Sequence, residues 1–107
     1  MLLEGGANVE STNVNRRTAL HCAAYNGHLD VCRLLLDWGA KVNPLDVWED
    51  TPLHDAATRG YLSVAKLLVE RGADVSIKSK SGKTARYLAR INGKKDVAEW
   101  LYTISHG

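Results

Sequence analysis

The chain has 107 residues, of which 45% are apolar and 24% charged, with a formal net charge of +2. That composition describes one small globular domain and excludes a disordered, collagen-like or membrane-spanning chain. The charge is uneven: residues 1–57 carry four basic and eight acidic side chains, and residues 58–107 carry ten basic and four acidic. Such a dipole weakens a nucleic-acid reading, which calls for a broadly basic surface. Two cysteines, Cys22 and Cys32, are too few for a disulfide scaffold and suit a reducing compartment, so an intracellular home, cytoplasmic and/or nuclear, is expected. No leader of signal-peptide form is legible in the first residues.

In chain order the elements repeat. Arg17-Thr18-Ala19-Leu20-His21 returns as Asp50-Thr51-Pro52-Leu53-His54 and, more weakly, as Lys83-Thr84-Ala85-Arg86-Tyr87. Gly27, Gly60 and Gly93 are 33 residues apart, as are Val31, Val64 and Val97, and Leu35, Leu68 and Leu101. Segments 13–45 and 46–78 share 14 identities in 33 positions without a gap. A period of that length marks a stack of like units.

Residues 1–12 read as the end of a truncated first unit, because Met1–Val9 aligns on Leu34–Val42. Residues 13–45 and 46–78 are full units, and residues 79–107 form a terminal one. Within the second unit, Thr51 caps a helix that opens on Pro52 and stops at Gly60. Leu62, Ala65, Leu68 and Val69, widened by Val64 and Leu67, then recur at the spacing of a packed helix face. Gly72 ends that helix, and residues 73–76 start an extended hairpin arm. The truncated start leaves the flank around Ala23, Val31 and Leu34 short of cover, which predicts either a fragment of a longer array or self-association there. At the other end Arg86, Tyr87 and Arg90 replace Leu, His and Ala, as a solvent-facing cap requires.

The sequences Asp50-Thr51-Pro52-Leu53-His54-x-Ala56-Ala57-x-x-Gly60 and Gly27-His28-Leu29-x-Val31-x-x-Leu34-Leu35-Leu36-x-x-Gly39-Ala40-x-Val42-Asn43 resemble the ankyrin repeat over nearly the whole chain. The resemblance implies an all-α solenoid of helix-turn-helix units with short β-hairpin or extended loops. It also implies non-catalytic protein binding, as an adaptor, a scaffold or the recognition part of a larger protein. His21 and His54 are then structural braces between neighbouring turns. Partners of this family usually meet the hairpin tips and the concave face of the first helices. Those positions fall on Val14, Asn15, Arg17, Tyr25 and Asn26; on Val47, Trp48, Asp50, Thr58 and Arg59; and on Lys80, Ser81, Lys83, Ile91 and Asn92, with Cys22 and Asp55 beside them. Trp48 is the expected anchor, clustered with Tyr25 and Arg59, because Trp, Tyr and Arg dominate interface energetics; Trp38 is a weaker candidate. Asn43, with Leu35 eight residues before it, matches the context in which such repeats are hydroxylated on asparagine.

Other chemistry is not spelled. No set of residues has zinc-ligand spacing and no nucleophile, base and orienter can be assembled, so neither a metal, a cofactor nor an enzyme is expected. Ser81-Gly82-Lys83-Thr84 mimics the end of a phosphate loop, but Ile77 stands where that motif needs its first Gly. Lys78, Lys80, Lys83, Arg86, Arg90, Lys94 and Lys95 form a run without an acid. It reads as a solvated face, with steering of an acidic partner, nucleic acid or a phosphoinositide as the alternative.

Overall fold

The computed structural model describes residues 9–106, which form six helices and, among those residues, no sheet. They run α1 (Ala19–Tyr25), α2 (Leu29–Asp37), α3 (Pro52–Arg59), α4 (Leu62–Glu70), α5 (Ala85–Ile91) and α6 (Lys95–His106). Helices of seven to nine residues are marginal alone in water, so packing must hold them. The inner helices α1, α3 and α5 lie side by side, each backed by an outer helix of its own pair, and α4 lies between α2 and α6. The result is an elongated body of 40 × 25 × 20 Å.

Each inner helix starts by the same device. Thr18, Thr51 and Thr84 accept a hydrogen bond from the backbone N–H three residues on, at 3.3, 3.3 and 3.2 Å. In the first two units the histidine closes a reciprocal bond: Nδ1 of His21 and of His54 accepts the threonine's own N–H at 3.0 Å. That fixes the tautomer, because an accepting Nδ1 leaves the proton on Nε2. Nε2 of His21 donates to the Asp50 carbonyl at 2.8 Å, and that of His54 to the Lys83 carbonyl at 3.0 Å. Both rings therefore cap their own helix and pin the next unit. Burial lowers the pKa of His21, Arg17's charge acting the same way, against a raising bond to Asp50.

Between inner and outer helix the chain reverses on a left-handed glycine. Gly27 has φ 71°, and a Cβ there would lie 2.9 Å from the Tyr61 ring of the following unit. Only glycine meets both conditions. The core runs the length of the stack: Leu20, Leu53, Leu68 and Leu101 are fully buried, with Ala24, Ala56, Ala57, Ala65 and Ala89 letting the units close up. Val31 and Leu34 stay exposed as expected, whereas Ala23 is 4% exposed. The difference follows the helix: Ala23 lies on the inner helix α1, packed against α2 and α3, whereas Val31 and Leu34 lie on the outer helix α2.

The hairpin arms are turns rather than strands; an isolated bridge joins Thr12 to Thr18. Asn13, Asp46 and Ser79 open the three fingers, and each backbone N–H donates to the carbonyl four residues on, of Arg17, Asp50 and Lys83. The side chains of the same three residues accept the N–H of Arg17, Asp50 and Lys83 at 3.1, 2.9 and 3.3 Å. Adjacent fingers are joined by Val47 N–H to the Asn15 carbonyl and Lys80 N–H to the Trp48 carbonyl. Near each tip stands a residue with positive φ: Arg16 (62°), Glu49 (60°) and Gly82 (79°).

Candidate functional site

The fingers and the inner helices together build one face of the stack. Trp48, at the tip of the second finger, is 50% exposed. Its N–H is tied to Asp46 Oδ1 at 2.9 Å and its carbonyl to Lys80, so the backbone beneath the ring is fixed on both sides. The indole forms the ridge between two depressions of about 470 Å³ each. On one side lie Asn15, Arg17, Cys22, Tyr25, Asn26, Asp50, Asp55 and Thr58; on the other, Asp50, Thr58, Ser79, Lys80, Ser81, Lys83 and Leu88.

Two residues that line the first depression, Arg17 and Asp55, belong to an ion triad. Arg17 reaches from the first finger to Asp46 of the second at 2.8 Å and to Asp55 of α3 at 2.9 Å. The Asp46 side chain is wholly buried and that of Asp55 nearly so. Burial pushes the Asp55 carboxyl up to about 7, while Arg17 holds it down. Burial also opposes the charge on Arg17, but the two carboxylates outweigh it and raise the guanidinium's pKa. Asp50, beside them, is likewise raised by burial first and by Asp46. Arg17 and Asp55 thus join two units, and the pair is deep rather than protruding. Asp46 was not singled out from the sequence; the signal was present in the 33-residue spacing of Asn13, Asp46 and Ser79, all formers of side-chain-closed turns.

Tyr25 lies between two cations, with the Arg59 guanidinium 4.8 Å and that of Arg17 6.0 Å from its ring centroid. Arg59 also donates to the Tyr25 hydroxyl at 3.4 Å. Tyr25 and Trp48 flank the same depression, whereas Arg59 lies over the far side of Tyr25 and lines a further hollow with Thr58, Asn92 and Lys94. Asn26 is exposed, but its amide donates to the Cys22 carbonyl and caps α1. Lys80 is exposed; Lys83 is half-buried with Nζ 5.8 Å from the Tyr87 ring centroid. Cys22 is exposed at the depression's edge, and Cys32 is buried, its thiol pushed up to about 11 by that burial.

The repeated constellation decides the family. A family model describing ankyrin repeats in three copies matches residues 1–79 and 48–107. The chain belongs to the ankyrin repeat family. A search of curated proteins finds no match. Ankyrin repeats are generally protein–protein interaction modules and typically non-catalytic. Among the described residues no three His, Cys, Asp or Glu side chains converge as a metal site would require, and no helix is long and apolar enough to cross a membrane.

Two other sequence features take their place in this ankyrin stack. Asn43 staples consecutive units: its Oδ1 accepts Asp74 N–H at 3.1 Å, and its amide donates to the Gly72 carbonyl at 3.4 Å. The basic run is divided. Lys80 and Lys83 flank Trp48, Lys94 lies beside Arg59, and Arg86, Arg90 and Lys95 gather in a hollow on α5 and α6.

Proposed function

We propose that this ankyrin chain is a non-catalytic recognition module, an adaptor or the binding part of a larger intracellular protein, that holds a partner protein on its inner-helix face. The reading treats residues 1–107 as one binding domain with 79–107 as its cap. The observation that carries it is Trp48: a half-exposed indole on a hydrogen-bonded finger, standing between two depressions. A rigid aromatic with concave ground on both sides has the form of an interface hot spot. Tyr25, Arg59 and Asn26 extend the contact on one flank and Asp50, Lys80 and Lys83 on the other. Arg17 and Asp55 set the floor between fingers, so their replacement acts on the shape of the site as well as on its charge. A partner apolar at its centre and acidic toward the third unit fits this layout.

The test is affinity capture from cell extract by the wild-type chain and by a Trp48→Ala/Arg59→Glu variant of unchanged circular dichroism. The reading expects specific partners with the first and their loss with the second. Equal capture by both would remove the site. A second reading, self-association through the first full unit, is favoured by the exposure of Val31 and Leu34; the aligned Met1–Asn8 segment lies outside the described residues. Concentration-dependent mass in light scattering supports it, and a persistent monomer ends it. Hydroxylation of Asn43 requires its two backbone bonds to open first; an unshifted intact mass of protein from its native cell argues against that modification.

A further inference from the structure

We propose that the third helix pair carries a second binding groove, between α5 and α6, that takes a helical segment of a partner protein presenting a carboxylate beside an aliphatic side chain. This groove has a volume of about 640 Å³ and is lined by Arg86, Arg90, Lys95, Ala98, Glu99 and Tyr102, among others. It shares no lining residue with the depressions beside Trp48. The repeat register explains how it arises. Arg86 stands where the other units bury Leu20 and Leu53, and Arg90 where they bury Ala24 and Ala57. The surface that α3 and α4 turn toward α5 and α6 is therefore repeated on α5 and α6 with long cations in place of its apolar groups.

Those cations are not neutralised among the described residues. Arg86, Arg90 and Lys95 line the groove with one carboxylate, Glu99, and none of these side chains enters an ion pair among the described residues. Arg86 lies over the Tyr102 ring, 4.6 Å from its centroid, with Nε buried and without a hydrogen-bond partner. A small shift of that guanidinium toward an arriving carboxylate satisfies the donor. A cleft whose lining carries three cations against one carboxylate also focuses its field on an anion, and arginine matches a carboxylate with two parallel bonds.

The apolar part of the lining favours a peptide over nucleic acid. Ala98 and the arginine stems suit an aliphatic side chain, and Tyr102 is a single ring with Arg86 already over it, not the row of aromatics on which successive bases stack. The relation of the groove to the stack favours a helix, since each preceding unit presents this side to a helix pair.

Fluorescence anisotropy of a labelled helical peptide built from Glu, Leu and Ala, titrated with the whole chain, tests the proposal. Saturable binding is expected, weakening with salt. It should fall by about tenfold or more in an Arg90→Gln/Lys95→Gln variant, fail for the peptide with Gln in place of Glu, and persist in Trp48→Ala. Both replaced cations are exposed, so the double variant keeps its fold, which its urea midpoint checks. Four results each overturn the proposal. They are no saturable binding; loss in Trp48→Ala with the double variant unaffected; tighter binding of single-stranded DNA or phosphoinositide vesicles than of the peptide; and a concentration-dependent mass abolished by the double variant, which assigns the groove to a second copy.

Discussion

The second unit and the last one share a backbone plan and differ in what they do with it. In the second, Leu53 is buried, His54 reaches the Lys83 carbonyl, and Ala57 lets the next helix close in. In the last, the same register holds Arg86, Tyr87 and Arg90; Arg86 lies on Tyr102, and Tyr87 and Arg90 are exposed. At these three positions the side chains that keep the repeat are covered. Those that break it are charged or aromatic and reach the surface. At this register the contrast separates residues that hold the ankyrin stack from those available to a partner.

The largest effect expected from breaking this contrast is at its apolar position. Leu53→Ala should cost about 2–5 kcal/mol by urea denaturation, the range for a fully buried leucine. Arg86→Ala, at the matched position, should cost about 1 kcal/mol or less, mostly its cation–π contact. Equal losses would mean the last unit is packed like the others. One residue further on, His54→Ala removes a bond to the following unit and a helix cap, for about 1–3 kcal/mol. Tyr87→Ala has no such bond to lose and should stay below about 1 kcal/mol.

The pH dependence sharpens the comparison between the first two units. His21 is held neutral by burial, so the unfolded chain takes up its proton more readily, and stability falls as pH drops through about 6.5. Asp55 has the opposite sign. With its carboxyl pushed up to about 7 in the fold, it contributes stability at low pH that is lost as pH rises from about 4 toward 7. Asp55→Asn should therefore lose stability more steeply than wild type between pH 7 and pH 5, measured as urea midpoints. A shallower slope would show that the Arg17 pair, not burial, governs this carboxyl.

The smallest effect is at the fingertips. Glu49 has a left-handed backbone at the position where the last unit has Gly82. Glu49→Gly should leave stability unchanged or raise it by up to about 1 kcal/mol, and Gly82→Glu should lower it by about the same amount.

Most of the stack is legible in the sequence because its causes are local and repeated: Thr18, Thr51 and Thr84 as caps, Gly27, Gly60 and Gly93 as reversals, and leucines at fixed register. The candidate site is legible as far as Trp48 and the tips. What escapes is pairing across units. Arg17 finds Asp46 and Asp55 at separations of 29 and 38 residues, and Arg86 finds Tyr102 on the following helix. Neither has a local pattern, because folding brings together groups that are nonperiodic by type. The basic run looks continuous along the chain but falls on three surfaces, since helix and turn periods scatter neighbours around the stack.

Cys22 offers the most direct test of the inner-helix face. It is exposed in the depression beside Trp48, while Cys32 is buried with its thiol pushed up to about 11. A maleimide should therefore label one thiol per folded chain. With the partner captured by the wild-type chain added in excess, labelling of Cys22 should slow sharply, and the slowing should vanish in Trp48→Ala/Arg59→Glu. An unchanged labelling rate in the complex would contradict binding on this face.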